Sequence, residues 1–129
     1  MSASASPLWA ANSRALRDGH NQVMRISRRL VRSLLSLESW TSRSSLVYSV
    51  KQACAPEILA RLCQREAEIG GRPNRLGPDE QAWAGAKRAV GLVITYWRSV
   101  GIIETRGDGD SQEVRLLRIP RVRRNFQYP

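Results

Sequence analysis

The sequence is poor in the residues that form metal centres and nucleophile–base pairs. It has one histidine, His20, and two cysteines, Cys54 and Cys63, which lie nine residues apart. This spacing matches no zinc pattern, a single histidine cannot complete one, and a serine nucleophile would lack a credible base. We therefore expect no metal, no cofactor and no catalytic residue, and the protein is predicted not to be an enzyme.

Long apolar runs are also absent. The longest uncharged apolar run, Ala89–Trp97, is too short to span a bilayer. Residues 1–7 are small and polar and lack the basic-then-apolar order of a secretory signal. We expect a cytoplasmic protein with no membrane partner, associated with the nucleoid if it binds DNA, and with its two thiols buried and reduced.

Lysine is scarce, and arginine takes its place. Of 21 basic residues only Lys51 and Lys87 are lysines, and with 11 acidic residues the net charge is +10. A guanidinium donates to phosphate in pairs and stacks on bases, which an ammonium group cannot do. A GC-rich genome would explain the ratio of arginine to lysine but not the net charge. Because so large a charge repels itself in the folded state, it favours a polyanionic partner, and we predict nucleic-acid binding.

The length of 129 residues suits one domain with a modest core. Residues 1–20 begin with a run of Ser and Ala and are predicted to form a flexible tail. Residues 21–119 are predicted to form a helical domain that ends in a wing-like hairpin. Residues 120–129 are predicted to form a basic C-terminal tail.

Apolar residues recur at three- and four-residue spacing from Asn21 to Leu37, which predicts a helix with Asn21 as its N-cap. The predicted apolar face consists of Val23, Ile26, Leu30, Leu34 and Leu37. Four arginines, here called the arginine stripe, recur on the opposite side: Arg25, Arg28, Arg29 and Arg32. Charge stripes are usually solvated faces. Four cations without interleaved acids repel one another, however, which favours a phosphate backbone lying along them.

Two shorter helices are predicted next. The segment Ser45–Cys54 has the pattern of a short helix, although its β-branched residues also permit a strand. Pro56 suits the first turn of a further helix that runs to about Ile69. The loop Gly70–Pro78 is rich in helix breakers and includes two arginines at its tip, Arg72 and Arg75.

A long amphipathic helix is predicted over Pro78–Ser99, because Pro78 is followed by two acids at the positive end of the helix dipole and Gly101 suits a C-terminal cap. Its predicted inner face is Trp83, Ala86, Val90, Val93, Ile94 and Trp97. Its predicted outer face is Lys87, Arg88, Gly91, Thr95 and Arg98. Gly91, which weakens the helix, is expected either to let another backbone approach or to admit a neighbouring core side chain.

Two strands, Ile102–Arg106 and Glu113–Ile119, are predicted to form a hairpin around the glycine-rich turn Gly107–Ser111. In the second strand, Val114 and Leu116 alternate with outward residues. The tail after Pro120 is basic and aromatic. Its arginines are expected to follow a phosphate backbone, and its aromatic rings either to stack or to pack back on the domain: Arg121, Arg123, Arg124, Phe126 and Tyr128.

Together these elements predict a mainly α single domain with a C-terminal β-hairpin. The order of long helix, glycine, strand, glycine-rich turn and strand resembles the winged helix-turn-helix family. The residues that carry the resemblance are Lys87–Val90, Val93, Ile94, Trp97 and Val100–Glu104, and the resemblance covers about residues 78–119. The family usually joins its two central helices by a short turn, whereas the loop Gly70–Pro78 intervenes here.

The resemblance implies duplex DNA binding by a winged-helix-like domain whose long helix lies in the major groove. The residues implied to face bases and phosphates are Lys87, Arg88, Thr95 and Arg98. Arg106 and Arg115 would flank the wing and reach an adjacent groove. Such a protein would be a transcription regulator or a plasmid- or phage-type replication or partition factor, acting as a homodimer or within a larger complex.

Two other functions are compatible with the sequence. A small arginine-rich subunit of a ribonucleoprotein, of the size and charge of CRISPR effector small subunits, would contact RNA or single-stranded DNA. An adaptor would meet an acidic protein, with Trp9 and Trp40 as anchors. Preference for single strands would favour the ribonucleoprotein, and binding that survives high salt and nuclease would favour the adaptor.

Overall fold

The computed structural model describes residues 19–69, 71 and 76–119. Its described part contains four helices, a three-stranded antiparallel sheet and a short 3-10 turn. In chain order these are α1 (residues 19–34), β1 (Thr41–Ser42), α2 (Arg43–Ala53), α3 (Pro56–Ile69), α4 (Pro78–Ser99), β2 (Ile103–Arg106), the 3-10 turn (Gly109–Ser111) and β3 (Glu113–Leu116). The predicted class, mainly α with a C-terminal hairpin, is confirmed.

The sheet has one strand more than the predicted hairpin. The strand order is β1-β3-β2, with Thr41 opposite Val114 and Ile103 opposite Leu116. The segment between the first two helices therefore contributes an edge strand. This strand ties the end of α1 and the start of α2 to the hairpin.

Helix α1 buries a face that is rotated from the predicted one: Val23 is buried and Ile26 and Leu30 are partly buried against the core, but the last two predicted leucines are not. It already includes residues 19 and 20, so Asn21 lies inside the helix and the predicted N-cap is wrong. Leu34 and Leu37, predicted as core, are 41% and 46% exposed. The buried positions of this segment are Val23, Met24, Ser27, Val31 and Leu35.

Two interactions explain this rotation. The hydroxyl of Ser27 donates to the carbonyl of Val23 at 2.7 Å, which satisfies a polar group at a buried position. After Leu34 the chain turns towards the sheet, where the carbonyl of Ser36 accepts from the backbone N–H of Leu116 at 2.9 Å. Leu34 and Leu37, at and after the end of α1, therefore do not belong to its buried face.

The helices α2 and α3 follow the predicted pattern closely. Ser42, in extended conformation, caps α2 by accepting a hydrogen bond from the backbone N–H of Ser45 at 3.1 Å. The segment Ser45–Cys54 is therefore helical up to Ala53, and the strand alternative is wrong. Pro56 opens α3 as predicted, and the helix ends before the two glycines.

Helix α4 has the predicted bounds and the predicted end. The N–H of Gly101 donates to the carbonyl of Arg98 at 3.2 Å, and that of Ile102 to Trp97 at 2.9 Å. Gly101 has a φ of 77°, which L side chains rarely adopt, so this Schellman-type cap needs the glycine. The predicted inner face is buried except for half-buried Trp83.

The core lies between the four helices and the inner face of the sheet. Its largest fully buried side chains come from α2, α3, α4, the start of β2 and the residue before β2: Leu46, Leu59, Trp97, Ile103 and Ile102. Helices α3 and α4 approach so closely at Gly85 that a Cβ there would overlap the carbonyl group of Leu59. Of the described glycines, Gly85 is the one at which a neighbouring helix approaches most closely.

The second hairpin strand is shorter than predicted. It ends at Leu116 instead of Ile119, which is 57% exposed. The backbone N–H groups of Leu117 and Arg118 both donate to the carbonyl of Ile102, at 2.7 and 3.4 Å. The chain therefore crosses the start of β2 instead of continuing the ladder.

Candidate nucleic-acid interface

The outward side of α4 borders a groove, here called the α4 groove. Three adjoining cavities form it, with volumes of about 490, 160 and 340 Å³. All three cavities are lined by Arg43 of α2. The cavity of about 490 Å³ also shares Lys87 with the one of about 160 Å³ and Thr95 with the one of about 340 Å³. The cations that line the groove are Arg43, Lys87, Arg88 and Arg98. Three of these four were predicted from the sequence.

Arg43 lies in the middle of the groove and is held from two sides. Its Nη1 donates to Oε1 of Gln112 at 2.8 Å, and its backbone N–H donates to the carbonyl of Gln112, also at 2.8 Å. Its Nη2 lies 2.9 Å from the position that a Cβ on Gly91 would occupy. The glycine therefore admits the guanidinium of Arg43 against α4, instead of the backbone or the core side chain expected from the sequence.

The rim of the groove is strongly cationic. Lys87, Arg88, Thr95 and Arg98 are all exposed, and they lie along one side of α4. Asp110, the one carboxylate among the described residues that line the cavities, lies 4.0 Å from Nζ of Lys87. Both side chains of this pair are largely exposed, so their attraction is weak and is screened by salt.

The arginine stripe lies outside the α4 groove, and only part of it is on the outward side of α1. Arg25 and Arg29 are exposed, whereas Arg28 and Arg32 are half-buried at the edges of the stripe. None of the four lines the groove. Among the described residues, no ion pair is recorded for Arg25, Arg29 or Arg32. The stripe is therefore a second cationic surface, separate from the groove.

The two wing arginines occur in a compact charged cluster on the outer face of the sheet. Arg106 Nε lies 2.9 Å from Oε1 of Glu113, and Arg115 Nε donates to Oε1 of Glu104 at 2.7 Å. Each pair is directly opposite across β2 and β3, so positive and negative side chains alternate on this face.

Trp40 completes this cluster. The guanidinium carbons of Arg106 and Arg115 lie 4.3 and 4.6 Å from its ring centroid. Continuing the register of β1 places Trp40 opposite Arg115, next to the Arg115–Glu104 pair. These contacts pair both wing arginines with carboxylates of the same molecule and place half-buried Trp40 against them.

Several predicted contact residues lie outside the described residues. They are Arg72 and Arg75 of the loop before α4 and Arg121, Arg123 and Arg124 of the C-terminal tail. Trp9, Phe126 and Tyr128 also lie outside them. Of the predicted contacts that the structure describes, those on α4 come together in the groove, those on α1 form a separate stripe, and those on the hairpin are paired internally.

The described residues include the one histidine and both cysteines of the chain. They contain no group of three or more His, Cys, Asp or Glu side chains able to hold a metal ion. Both cysteines are free thiols, and burial raises the pKa of the Cys54 thiol above its ordinary value of 9.0. A raised pKa lowers the thiolate fraction and makes Cys54 a poor nucleophile. No described helix has the length and apolar character needed to cross a bilayer.

Sequence reasoning missed Arg43, which all three cavities share. Its segment, Thr41–Ser45, consists mostly of small polar residues typical of turns, and its contact with Gly91 spans 48 positions along the chain. Comparisons of the chain with protein-family models, curated protein sequences and solved structures found no match. Function is therefore inferred from the groove, the stripe and the sheet of this chain alone.

Proposed function

We propose that the protein binds duplex DNA through the α4 groove, with α4 in the major groove and the β2–β3 hairpin beside it as a wing. The observation that carries this proposal is the row of exposed cations along one side of a long helix that leads directly into an antiparallel hairpin. The major groove of B-DNA is about 12 Å wide and admits one α-helix.

Charge supports a polyanionic ligand. The chain has a net charge of +10, and four cations line the α4 groove against a single described carboxylate. Residues of α4 that point to the floor of the DNA major groove would meet base edges, where arginine pairs with guanine through two hydrogen bonds. The four α4 side chains proposed to make these contacts are Lys87, Arg88, Thr95 and Arg98.

The topology supports a winged-helix-like arrangement. The edge strand β1 pairs with β3, which pairs with β2, so the hairpin is attached both to α4 and to the start of α2. A wing anchored in this way would keep a fixed position relative to α4. The internal ion pairs of Arg106 and Arg115 suggest that these arginines stiffen the wing, and we leave them out of the proposed contact surface.

The arginine stripe is proposed as a separate phosphate-binding surface. Arg25 and Arg29 are exposed on α1 without a recorded ion pair among the described residues. Contacts from this surface would carry no sequence information, because phosphates are identical along the duplex. A protein with both surfaces would act as a sequence-specific regulator, or as a replication or partition factor.

The test is direct binding, measured by fluorescence anisotropy with a mixed-sequence duplex, a single strand and an RNA of equal length. We expect the duplex to bind most tightly, and its affinity to fall about 100-fold or more between about 50 and 200 mM salt as four or more phosphate contacts release their counterions. Selection from a random duplex library should yield a preferred site.

Other results would replace the proposal. Tighter binding of RNA or single-stranded DNA than of duplex would indicate the ribonucleoprotein subunit instead. Binding to no nucleic acid at low salt would leave the adaptor function, in which an acidic protein meets the same cations. Equal affinity for every duplex would remove sequence specificity and retain only duplex binding.

A further inference from the structure

The position of Arg43 gives it a role in the α4 groove that its place in the sequence does not indicate. It is the first residue of α2, yet its guanidinium reaches α4 beside Gly91 and lines all three cavities of the groove. Its neighbours in the groove include Lys87, Arg88 and Arg98 of α4. Arg43 thus lines the same cavities as three other cations, and no described carboxylate forms an ion pair with it.

The side chain is preorganised before any ligand binds. One guanidinium nitrogen, Nη1, donates to Gln112 at 2.8 Å and leaves the other N–H groups of the planar fork for further acceptors. The lack of a Cβ on Gly91 leaves space for the second nitrogen, Nη2. Holding an arginine in one position lowers the entropy lost when it binds an anion.

We propose that Arg43 is a phosphate-binding residue of the α4 groove and that Gly91 positions it. This inference rests on the proposed function. The major groove admits α4 alone, so a side chain that reaches from a neighbouring helix meets the wall of that groove. The wall is the sugar-phosphate backbone, and a guanidinium fork matches two phosphate oxygens. The occupant beside Arg43 is therefore a phosphate of the bound duplex.

The free protein places Arg43 where a cation is unfavourable. It lies in the first turn of α2, at the positive end of the helix dipole, and that turn contains no acidic residue. A phosphate beside Arg43 would offset this repulsion and that among the groove cations. The helix dipole therefore favours an anion at the same place in the groove, where Arg43 and Gly91 face each other.

The first test removes Arg43. Arg43→Ala should weaken duplex binding about tenfold, as expected for the loss of one charge-assisted contact, and by the same factor for preferred and random sequences. The slope of log affinity against log salt should become shallower by about 0.9. Arg43→Lys keeps the charge without the fork and should recover part of the affinity. Circular dichroism and the Tm establish that each variant is folded.

The second test moves Arg43 without removing it. Gly91→Ala places a Cβ against the guanidinium, a flexible end that can shift, while alanine strengthens the helix. The Tm should stay the same or rise by a few degrees, whereas duplex affinity should fall about threefold because the hydrogen-bond geometry is lost. In the Arg43→Ala background, Gly91→Ala should have no further effect on affinity.

Three results would overturn the inference. If Arg43→Ala binds duplex as tightly as the unchanged protein, Arg43 does not contact the ligand. If Gly91→Ala lowers affinity equally in both backgrounds, the glycine faces the ligand directly and does not position Arg43. If Arg43→Ala alters base preference, Arg43 reads bases instead of a phosphate. In each case the unchanged protein still binds duplex, so the proposed function stands, whereas absence of all nucleic-acid binding overturns both.

Discussion

Gly85 of α4 lies directly against the backbone of Leu59 on α3, so a Cβ at position 85 would lie 3.0 Å from the Leu59 Cα and overlap its carbonyl group. Leu59 is fully buried, and Gly85 lies among buried alanines of α4. Backbone atoms in a packed core cannot shift as the end of a flexible side chain can. The distance between α3 and α4, and with it the presentation of the α4 groove, therefore depends on this glycine.

We predict that Gly85→Ala lowers the free energy of unfolding by about 3 kcal/mol, because overpacking at this contact exceeds the gain in helix propensity. Urea unfolding followed by circular dichroism measures the change. Gly91→Ala is the matched control, since it is the same substitution on the same helix. That control is expected to be unchanged or more stable by up to about 1 kcal/mol. Equal stabilities for the two variants would contradict the close α3–α4 contact.

Trp40 is predicted to stabilise the sheet through its π face as well as its bulk. Trp40→Phe keeps an aromatic face for Arg106 and Arg115, whereas Trp40→Leu keeps apolar bulk without one. We expect the leucine variant to be less stable than the phenylalanine variant by about 1 kcal/mol, in urea unfolding at low salt. Identical stabilities would mean that the guanidinium–ring contacts contribute nothing.

The α4 cations and the arginine stripe are predicted to differ in what they recognise. Replacing Arg88 and Arg98 with alanine should lower duplex affinity and change the preferred sequence, because these side chains face base edges in the proposed complex. Replacing Arg25 and Arg29 should weaken binding equally for all sequences and reduce the salt slope by about 1.8. Competition binding with the selected site and a scrambled duplex separates the two effects.

The control for these pairs is Arg61→Ala combined with Arg118→Ala, which removes two exposed charges that line none of the groove cavities. Its effect reports the loss of two charges outside the groove, together with the long hydrogen bond of 3.4 Å from Arg118 to the carbonyl of Val100. If the α4 pair and the stripe pair both change affinity without changing the preferred sequence, α4 does not read bases. If neither pair differs from the control, binding depends on overall charge and the α4 groove has no special role.

Asp110 is predicted to weaken ligand binding in the unchanged protein. It is the one carboxylate among the described residues that line the α4 groove, and its side chain is 84% exposed. Asp110→Asn should therefore tighten duplex binding about threefold at low salt, with the gain lost as salt screens the exposed charge. Glu57→Gln, an exposed acid at the start of α3, is the control and should have a much smaller effect. A weaker complex with Asp110→Asn would indicate that the carboxylate orders the wing.

Most helix and strand positions could be predicted from the sequence, because they depend on residues only a few positions apart. The bounds of α4, the cap at Gly101, the proline that opens α3 and the alternation in β3 all follow from short-range backbone and burial preferences. The outward positions of Lys87, Arg88, Thr95 and Arg98 follow from the same helical period. The same period predicted the buried face of α1 only in part. Ser27 is buried there with its hydroxyl bonded to Val23, and the chain turns towards the sheet after Leu34, so the buried face is rotated.

The pairing of each cation was decided by tertiary structure. Arg43 meets Gln112 across 69 positions, and Arg115 meets Glu104 only because β2 and β3 adopt one register. The sequence alone does not show whether a given arginine will lie against a carboxylate, a tryptophan or solvent. That depends on distances between elements far apart in the chain, which are set when the core packs. The sequence thus determined the surplus of arginine and most helix bounds, whereas folding decided which arginines lie against carboxylates or Trp40 of the same molecule.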